Sequence, residues 1–434
     1  MRVAAAIACV VLGEGMRNER GRSIAVIGAG PAGTTLATLL ARAGFRVAVF
    51  SRVSSNPLVV GESLVPAVIP ILRMLGVEDE VRAYSVYKPG ATFVVNRDFT
   101  IRISFDEVCG RVPRYAYNVP RDLFDATLRA ACGRSGARII EASAQVERVA
   151  GEAGEPRVRL GPESLAAASE CLGGPPDWVI DASGRSRLMA RLLDLPSYGQ
   201  DRRDTALFAH CEGVVLDHPG HVHSDPLEHG WCWRIPLPGR VSLGIVAEPT
   251  VFRSLGERPE EQYDAFLRTD PHLKRLIEGG RRLTPVVRYT NYQLTTLRGV
   301  GEGWALVGDA FGFIDPVFSS GLFLAMDGAQ RLARAIRAGT PAALRRYERA
   351  HLRHIEAWRR AIGYFYDGRF FALFRIRDEA RMRSFGRLVD RHATKHVARI
   401  FTGEATTGWY SRWITEFMMT HALGEQDVDA LRIR

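Results

Sequence analysis

A chain of 434 residues, 46% hydrophobic and 24% charged, is long enough for two packed domains and is neither disordered nor collagen-like in composition. No apolar run approaches the roughly 18–20 uncharged residues of a membrane-spanning helix, so no membrane span is expected. The formal net charge is +10, yet its densest arginine run, from Arg345 to Arg391, comes with no nucleic-acid-binding module. A solvated helix face or a docking surface for an acidic partner is expected there, not nucleic acid.

Taken in chain order, residues 1–22 read as an extension: the apolar run in MRVAAAIACVVL is short, and Met16 followed by RNERGR makes an ordinary soluble start. Ser23 to Gly28 (SIAVIG) predicts a buried strand, Pro31 to Ala43 a helix, and Phe45 to Phe50 a second strand, together a βαβ unit. Gly61 to Leu75 predicts a loop and helix, and Tyr87 to Ser104 alternates as strand. Arg121 to Cys132 predicts a helix, Ala137 to Ala150 a strand, and Trp178 to Ile180 a short strand ending at Asp181. Between about 200 and 300, runs such as GWCWRIPL and RVSLGIVAE alternate as antiparallel strands. GWALV at 303–307 returns to a buried strand ending in Gly308-Asp309-Ala310, and helical sequence follows Gly321 to the end.

Six cysteines, Cys9, Cys109, Cys132, Cys171, Cys211 and Cys232, contain no CxxC pair. That pattern predicts a reduced, cytoplasmic protein without an iron–sulfur or structural zinc site. His218, His221, His223 and His229 cluster in DHPGHVHSDPLEH, but without a carboxylate triad they read as a loop near a substrate mouth, and no metal is assigned.

The chemistry begins at Gly28-Ala29-Gly30-Pro31-Ala32-Gly33, directly after a strand and before a helix. Gly28 permits the tight turn, Gly30 lets backbone approach a pyrophosphate, and Gly33 allows close helix–strand packing. The acid that often ends the second strand is missing: Ser51 and Arg52 stand there, one able to hydrogen-bond a ribose, the other to reach phosphate or stack on adenine. Farther on, Arg121 in VPRDLFD, Asp181 and Gly184 in DASG, and Asp309 in GDA read as contacts to cofactor hydroxyls, phosphates or ring. This set favours FAD over a bare nicotinamide.

Here the chain resembles the flavin-dependent halogenases, within the para-hydroxybenzoate-hydroxylase-like FAD monooxygenases. GAGPAG (28–33), GESLVP (61–66), YKPGATF (87–93), VPRDLFD (119–125), DASGR (181–185), GWCWRIPL (230–237) and GDAFGFIDPVFSSGLFLAM (308–326) carry the resemblance. It implies an α/β fold in which a Rossmann-type FAD-binding domain (23–85, 119–190 and 301–335) is assembled from discontinuous segments. An antiparallel β-sheet substrate domain (86–118 and 191–300) and a helical C-terminal region (336–434) complete it. It also places Glu62 and Ser63 of GESLVP beside the cofactor. In the family, reduced flavin and dioxygen oxidise halide to hypohalous acid, which reaches a lysine near the substrate; Lys88 matches that lysine. Trp231, Trp233 and Pro236 match a WxWxIP signature that walls substrate from flavin. Phe313, Pro316, Ser319 and Gly321 match an FxxPxxSxG pattern; Pro316, Ser319, Ser320 and Gly321 form a candidate nest for halide and flavin edge, and Phe313 and Phe318 are expected beside the substrate or its tunnel.

Free-tryptophan halogenases usually carry a glutamate where Phe318 stands, which argues for the phenol or pyrrole branch. The expected partners are a separate flavin reductase, chloride or bromide, and an electron-rich aromatic, free or borne on an acidic carrier protein or peptide. Two alternatives remain open: an FAD monooxygenase hydroxylating an aromatic, such as a tryptophan in a peptide precursor of a quinone cofactor, and an isoprenoid-type flavin reductase. Trp358, Ile362, Phe365 and Phe370 read as an apolar core stripe of the helical tail, and Trp409, Trp413 and Phe417 as a similar series that closes the pocket or packs the tail.

Overall fold

A computed structural model describes residues 22–52, 58–151, 154–199, 202–290, 293–380, 395–421, 423 and 427–433, with backbone alone over 377–380. The extension expected over residues 1–22 lies outside these but for Arg22.

The βαβ reading of the start is realised in a six-stranded sheet ordered Val300–Gly301, Trp304–Leu306, Trp178–Asp181, Ser23–Ile27, Arg46–Phe50 and Arg138–Ile140. All pairs are parallel except the edge strand Val300–Gly301. The central strand is buried at every position, as parallel strands covered on both faces must be. Ile24 and Val26 pack with Leu36 and Leu40 of helix Pro31–Arg42 and with Leu332 and Ile336 of helix Gly321–Ala338. Ala25, Ala48 and Phe50 turn the other way, toward helix Pro162–Leu172.

The second sheet has eight strands. Thr205–Glu212, Arg240–Ala247 and Trp231–Leu237 form its antiparallel centre. Val222–Pro226 joins it to Gly90–Val94 by a parallel pairing. Its alternation separates two cores. Leu207, Ala209, Cys211, Leu243 and Ile245 meet Tyr263 and Phe266 of helix Pro259–Thr269, a helix inside the stretch expected to be β-rich. Phe208, Trp231, Trp233 and Ile235 face the helical C-terminal region. The strand expected over Ala137 to Ala150 is broken, into Arg138–Ile140 in the first sheet and Val146–Ala150 in a separate hairpin.

Helix Pro341–Tyr366 begins at Thr340, whose hydroxyl accepts from the Ala343 amide at 3.2 Å, with proline at its first turn. It buries Tyr347, His351, Ile355, Trp358, Ile362 and Phe365, a stripe at three- and four-residue spacing. No described helix is long and apolar enough to cross a membrane.

Candidate functional site

The glycine turn explains two of its three glycines from the protein alone. Gly28 has φ +109°, and a Cβ there would lie 2.3 Å from the Ala182 carbonyl oxygen; one on Gly33 would lie 1.9 Å from the Gly28 carbonyl oxygen. Gly30 differs: a Cβ there meets no protein atom within 4 Å, and the residue lines a cavity. The open cradle fits an approaching pyrophosphate, with helix Pro31–Arg42 presenting an N-terminus that no side chain caps.

From this turn the cavity, with about 1190 Å³ of empty space including its mouth, runs past Arg121, Gly184 and Asp309 to Trp231 and Trp233. Arg121 is held by Asp125 through two contacts of 3.0 Å and by the Val60 carbonyl. Asp309 lines the cavity, and burial pushes its carboxyl up to about 6 against the pull of Arg185 and Arg121. Arg185 was not singled out in the sequence. Its guanidinium lies 3.8 Å over the Tyr289 ring and 5.2 Å from the Phe313 ring centre.

Lys88 is buried, unusual for a lysine. Strand Val86–Lys88 pairs with Ala116–Asn118 and turns the side chain inward. Its Nζ donates to Ser63 Oγ and to the Leu64 carbonyl, each at 2.8 Å, and Ser63 Oγ donates to Asn118 Oδ1 at 2.8 Å. Ser63 lines the cavity, so the amine stands one side chain behind its wall. Burial pulls the Lys88 pKa down to about 7.

Trp231 and Trp233 share one face of their strand, as their spacing predicted, with ring centres 5.9 Å apart. Trp233 lies flat across the neighbouring strand because Gly244 opposite it leaves room: a Cβ there would sit 2.1 Å from the ring. Trp231 Nε1 donates to the Tyr366 hydroxyl at 2.9 Å, which donates to Asp315 Oδ2 at 2.9 Å.

A family model described as tryptophan halogenase matches residues 23–109 and 95–370. The chain belongs to the flavin-dependent halogenases. Its FAD-dependent oxidoreductase character follows from that membership. Tryptophan 2-halogenase of Chondromyces crocatus is 29% identical over 79% of this chain and 67% of its own length. Flavin-dependent halogenase armH3 of Armillaria mellea is 31% identical over 73% and 67%. The 1H-pyrrole-2-carbonyl peptidyl-carrier-protein chlorinase of Pseudomonas fluorescens is 28% identical over 71% and 74%. Among solved structures, a flavoprotein/dehydrogenase of Cytophaga hutchinsonii (TM-score 0.78, 24% identity, 94% of this chain and 98% of that one) shares the fold. So does flavin-dependent brominase Bmp2 (0.74, 21%, 93% and 99%).

Within this halogenase frame the remaining residues named in the sequence part company. Pro31, Ala32, Glu62, Phe313, Pro316, Ser319 and Gly321 line the cavity. Ser319 holds φ +57°, and Ser320 behind it is buried, its hydroxyl without a partner among the described residues. Both stand at the uncapped N-terminus of helix Gly321–Ala338. Of the expected site residues, Asp181, Phe318 and Pro236 do not line this cavity. Asp181, expected to hold cofactor hydroxyls, is buried and accepts from the backbone amides of Ser183 (2.8 Å) and Met189 (2.7 Å). Phe318 leaves the cavity for an aromatic cluster with Phe365, Phe370 and Phe401. Pro236 is replaced at the cavity wall by Ile235.

At the second strand's end, Ser51 is buried and accepts from Arg129, which also pairs with Glu141 at 3.0 Å; Arg52 is exposed. Arg129 lies eight residues after Arg121 on one helix, a spacing that could have exposed it. Within the histidine cluster, the His218 and His221 rings stay 5.4 Å apart, His221 Nδ1 sits 3.0 Å from Thr92 Oγ1, and His223 lies 3.7 Å from Asp217.

Two further couplings escaped the sequence. Arg240 donates to His210 Nδ1 at 3.0 Å, leaving Nε2 to donate to cavity-lining Glu62 at 2.7 Å. The other is Tyr366. Tyr366→Phe keeps the ring and removes the acceptor of the Trp231 N–H. It is expected to cost about 1–3 kcal/mol in urea unfolding, the price of a buried donor left unmade. More oxygen should then be consumed per product formed, measured with an oxygen electrode beside product analysis.

Proposed function

We propose that this protein halogenates an electron-rich aromatic of phenol, pyrrole or indole type. The observation that carries the reading is the buried Lys88 amine, held by Ser63 immediately behind a cavity wall that also presents Trp231 and Trp233. Reduced FAD with dioxygen supplies the oxidising power that turns chloride or bromide into hypohalous acid. Gly28, Gly30 and Gly33 with the helix behind them would hold the pyrophosphate. Arg121, Asp309, Gly184 and Glu62 line the cavity where the rest of the cofactor would lie. Ser319, Ser320 and Gly321 offer the halide a helix N-terminus free of acidic residues.

Lys88 as ammonium donates a hydrogen bond to the oxygen of hypohalous acid. The aromatic carbon takes the halogen, the oxygen–halogen bond breaks, and the departing oxygen takes the Lys88 proton to leave as water; the halogenated ring carbon then loses its own proton, which restores the Lys88 ammonium and the ring's aromaticity. The tryptophans keep the organic substrate away from the flavin side. Phe318, standing where free-tryptophan halogenases usually carry a glutamate, favours a phenol or pyrrole over free tryptophan, and the pyrrole chlorinase among the relatives supports a carrier-borne substrate. Electrons are assigned to a separate flavin reductase.

The test is protein supplied with photoreduced FAD, dioxygen, chloride or bromide, and a panel of phenols, pyrroles and their carrier-bound forms, read by mass spectrometry. Halide-dependent products support the reading; oxygenated products formed equally without halide overturn it in favour of hydroxylation.

Lys88 also makes a prediction for stability. Folded, the amine loses its proton near 7; unfolded, near the usual lysine value of 10.5. Between those values the unfolded chain holds more protons, so this residue makes stability rise with pH, by up to about 1.4 kcal/mol per pH unit. Urea unfolding of Lys88→Met between those limits should show a flatter rise than the parent chain.

A further inference from the structure

Away from the cavity, a groove runs between helix Pro341–Tyr366 and the segment from Ile400 to Glu416. Ala357, Ala361, Ile400 and Ala405 lie along it, and Arg353, Arg360 and Arg412 stand beside them. Arg360 is engaged by Glu356 and Glu416 at 3.3 and 3.0 Å. Among the described residues, no carboxylate pairs with Arg353 or Arg412. Exposed Arg349 and Arg346 continue the stripe one and two turns before Arg353. The Thr415 hydroxyl lines the same groove, buried and without a partner among the described residues.

Next to the groove stands an aromatic ridge. Trp409, Trp413 and Phe417 follow at four-residue spacing along helix Trp409–His421 and are 75%, 57% and 47% exposed. Trp413 and Phe417 stack on each other, ring centres 5.7 Å apart. Large aromatics in such number on one helix face are what a buried interface uses as anchors.

We propose that this face docks an acidic amphipathic helix of a partner protein. Its apolar residues lie along the alanine and isoleucine floor and against the ridge, in the helix-in-groove manner. Its carboxylates meet Arg346, Arg349, Arg353 and Arg412, whose planar guanidinium groups take carboxylate through paired hydrogen bonds. Charge and shape decide against the other two occupants. A two-fold contact with a second copy would bring this arginine stripe against itself. A bilayer would use the convex ridge and leave the groove floor and Thr415 uncovered. The inference does not depend on the halogenation reading.

The experiment is fluorescence anisotropy of full-length, FAD-loaded protein with a labelled peptide of about five helical turns. The peptide carries leucine at helical a and d spacing and glutamate elsewhere; a twin with lysine for glutamate is the control. The acidic peptide is expected to bind, more weakly as salt rises, while the lysine peptide does not. Trp413→Ala and the double variant Arg353→Glu/Arg412→Glu should each weaken binding at least about tenfold, and the double variant should gain the lysine peptide. Both should keep the parent's flavin absorbance and circular dichroism. No binding, or binding unchanged in both variants, overturns the proposal. So does sedimentation with vesicles of anionic phosphatidylglycerol without peptide binding, which would assign the ridge to a membrane. Concentration-dependent dimers that dissolve in Trp413→Ala and ignore the peptide would assign it to self-association and overturn it equally.

Discussion

Lys88→Ala is expected to lower halogenated product by a factor of about 10²–10⁴, the range a positioned proton donor contributes, while oxygen consumption continues. The asymmetry follows from where the amine sits. It does not line the cavity where FAD would lie; it stands behind Ser63, between that hydroxyl and the Leu64 carbonyl. Removing it leaves the glycine turn, Arg121 and Asp309 untouched, so flavin binding and oxidation persist and the oxidant is released unused. Lys88→Arg is the stricter variant: it keeps positive charge but brings a larger planar head into a buried slot built for an ammonium. It should restore little product. The readouts are halogenated product by mass spectrometry, peroxide by a coupled assay and flavin reoxidation by absorbance. Parent-level product from Lys88→Ala would remove the lysine from the chemistry.

The second large effect lies in the glycine turn, where two neighbouring substitutions should fail for different reasons. In Gly33→Ala the new methyl would meet the Gly28 carbonyl oxygen at 1.9 Å, closer than atoms can approach. Helix and strand must part, and a loss of several kcal/mol, on the order of 3–5, is expected before any cofactor is added. In Gly30→Ala the methyl meets no protein atom. The apoprotein should unfold at the parent's urea midpoint, yet FAD affinity should fall at least about tenfold because the methyl occupies the phosphate's approach. Urea unfolding of both apoproteins and FAD titration by flavin fluorescence separate the two. Parent-like FAD affinity in Gly30→Ala would mean that the cradle is not the phosphate site.

The fold was legible where its causes are local. SIAVIG announces a buried parallel strand, the glycines a tight turn, and GWCWRIPL an alternation that puts both tryptophans on one face. Partnerships across the chain left no such trace. Tyr366 reaches Trp231 over 135 positions, and His210 reaches Glu62 over 148; no periodicity encodes either. Asp181 is ambiguous in another way. An acid before Ala-Ser-Gly suits a ligand contact and a local cap equally, and only the path of helix Leu188–Leu192 reveals that amides have taken both oxygens. Phe318 is the opposite case: its motif lines the cavity, but its ring joins Phe365, Phe370 and Phe401, a packing that no local pattern encodes.

The strands that flank Ser23–Ile27 and Arg46–Phe50 come from residues 138–140, 178–181 and 304–306. A nascent chain therefore cannot finish the floor of its cofactor cavity until some three hundred residues have been made, and parallel pairing at such separation folds slowly. Meanwhile the half-built first sheet and the apolar strands of the second wait uncovered, a state prone to aggregate. On the proposed placement of FAD in the finished cavity, its supply is expected to set yield as much as activity. Cells short of riboflavin would be expected to lose the protein itself, not merely its turnover.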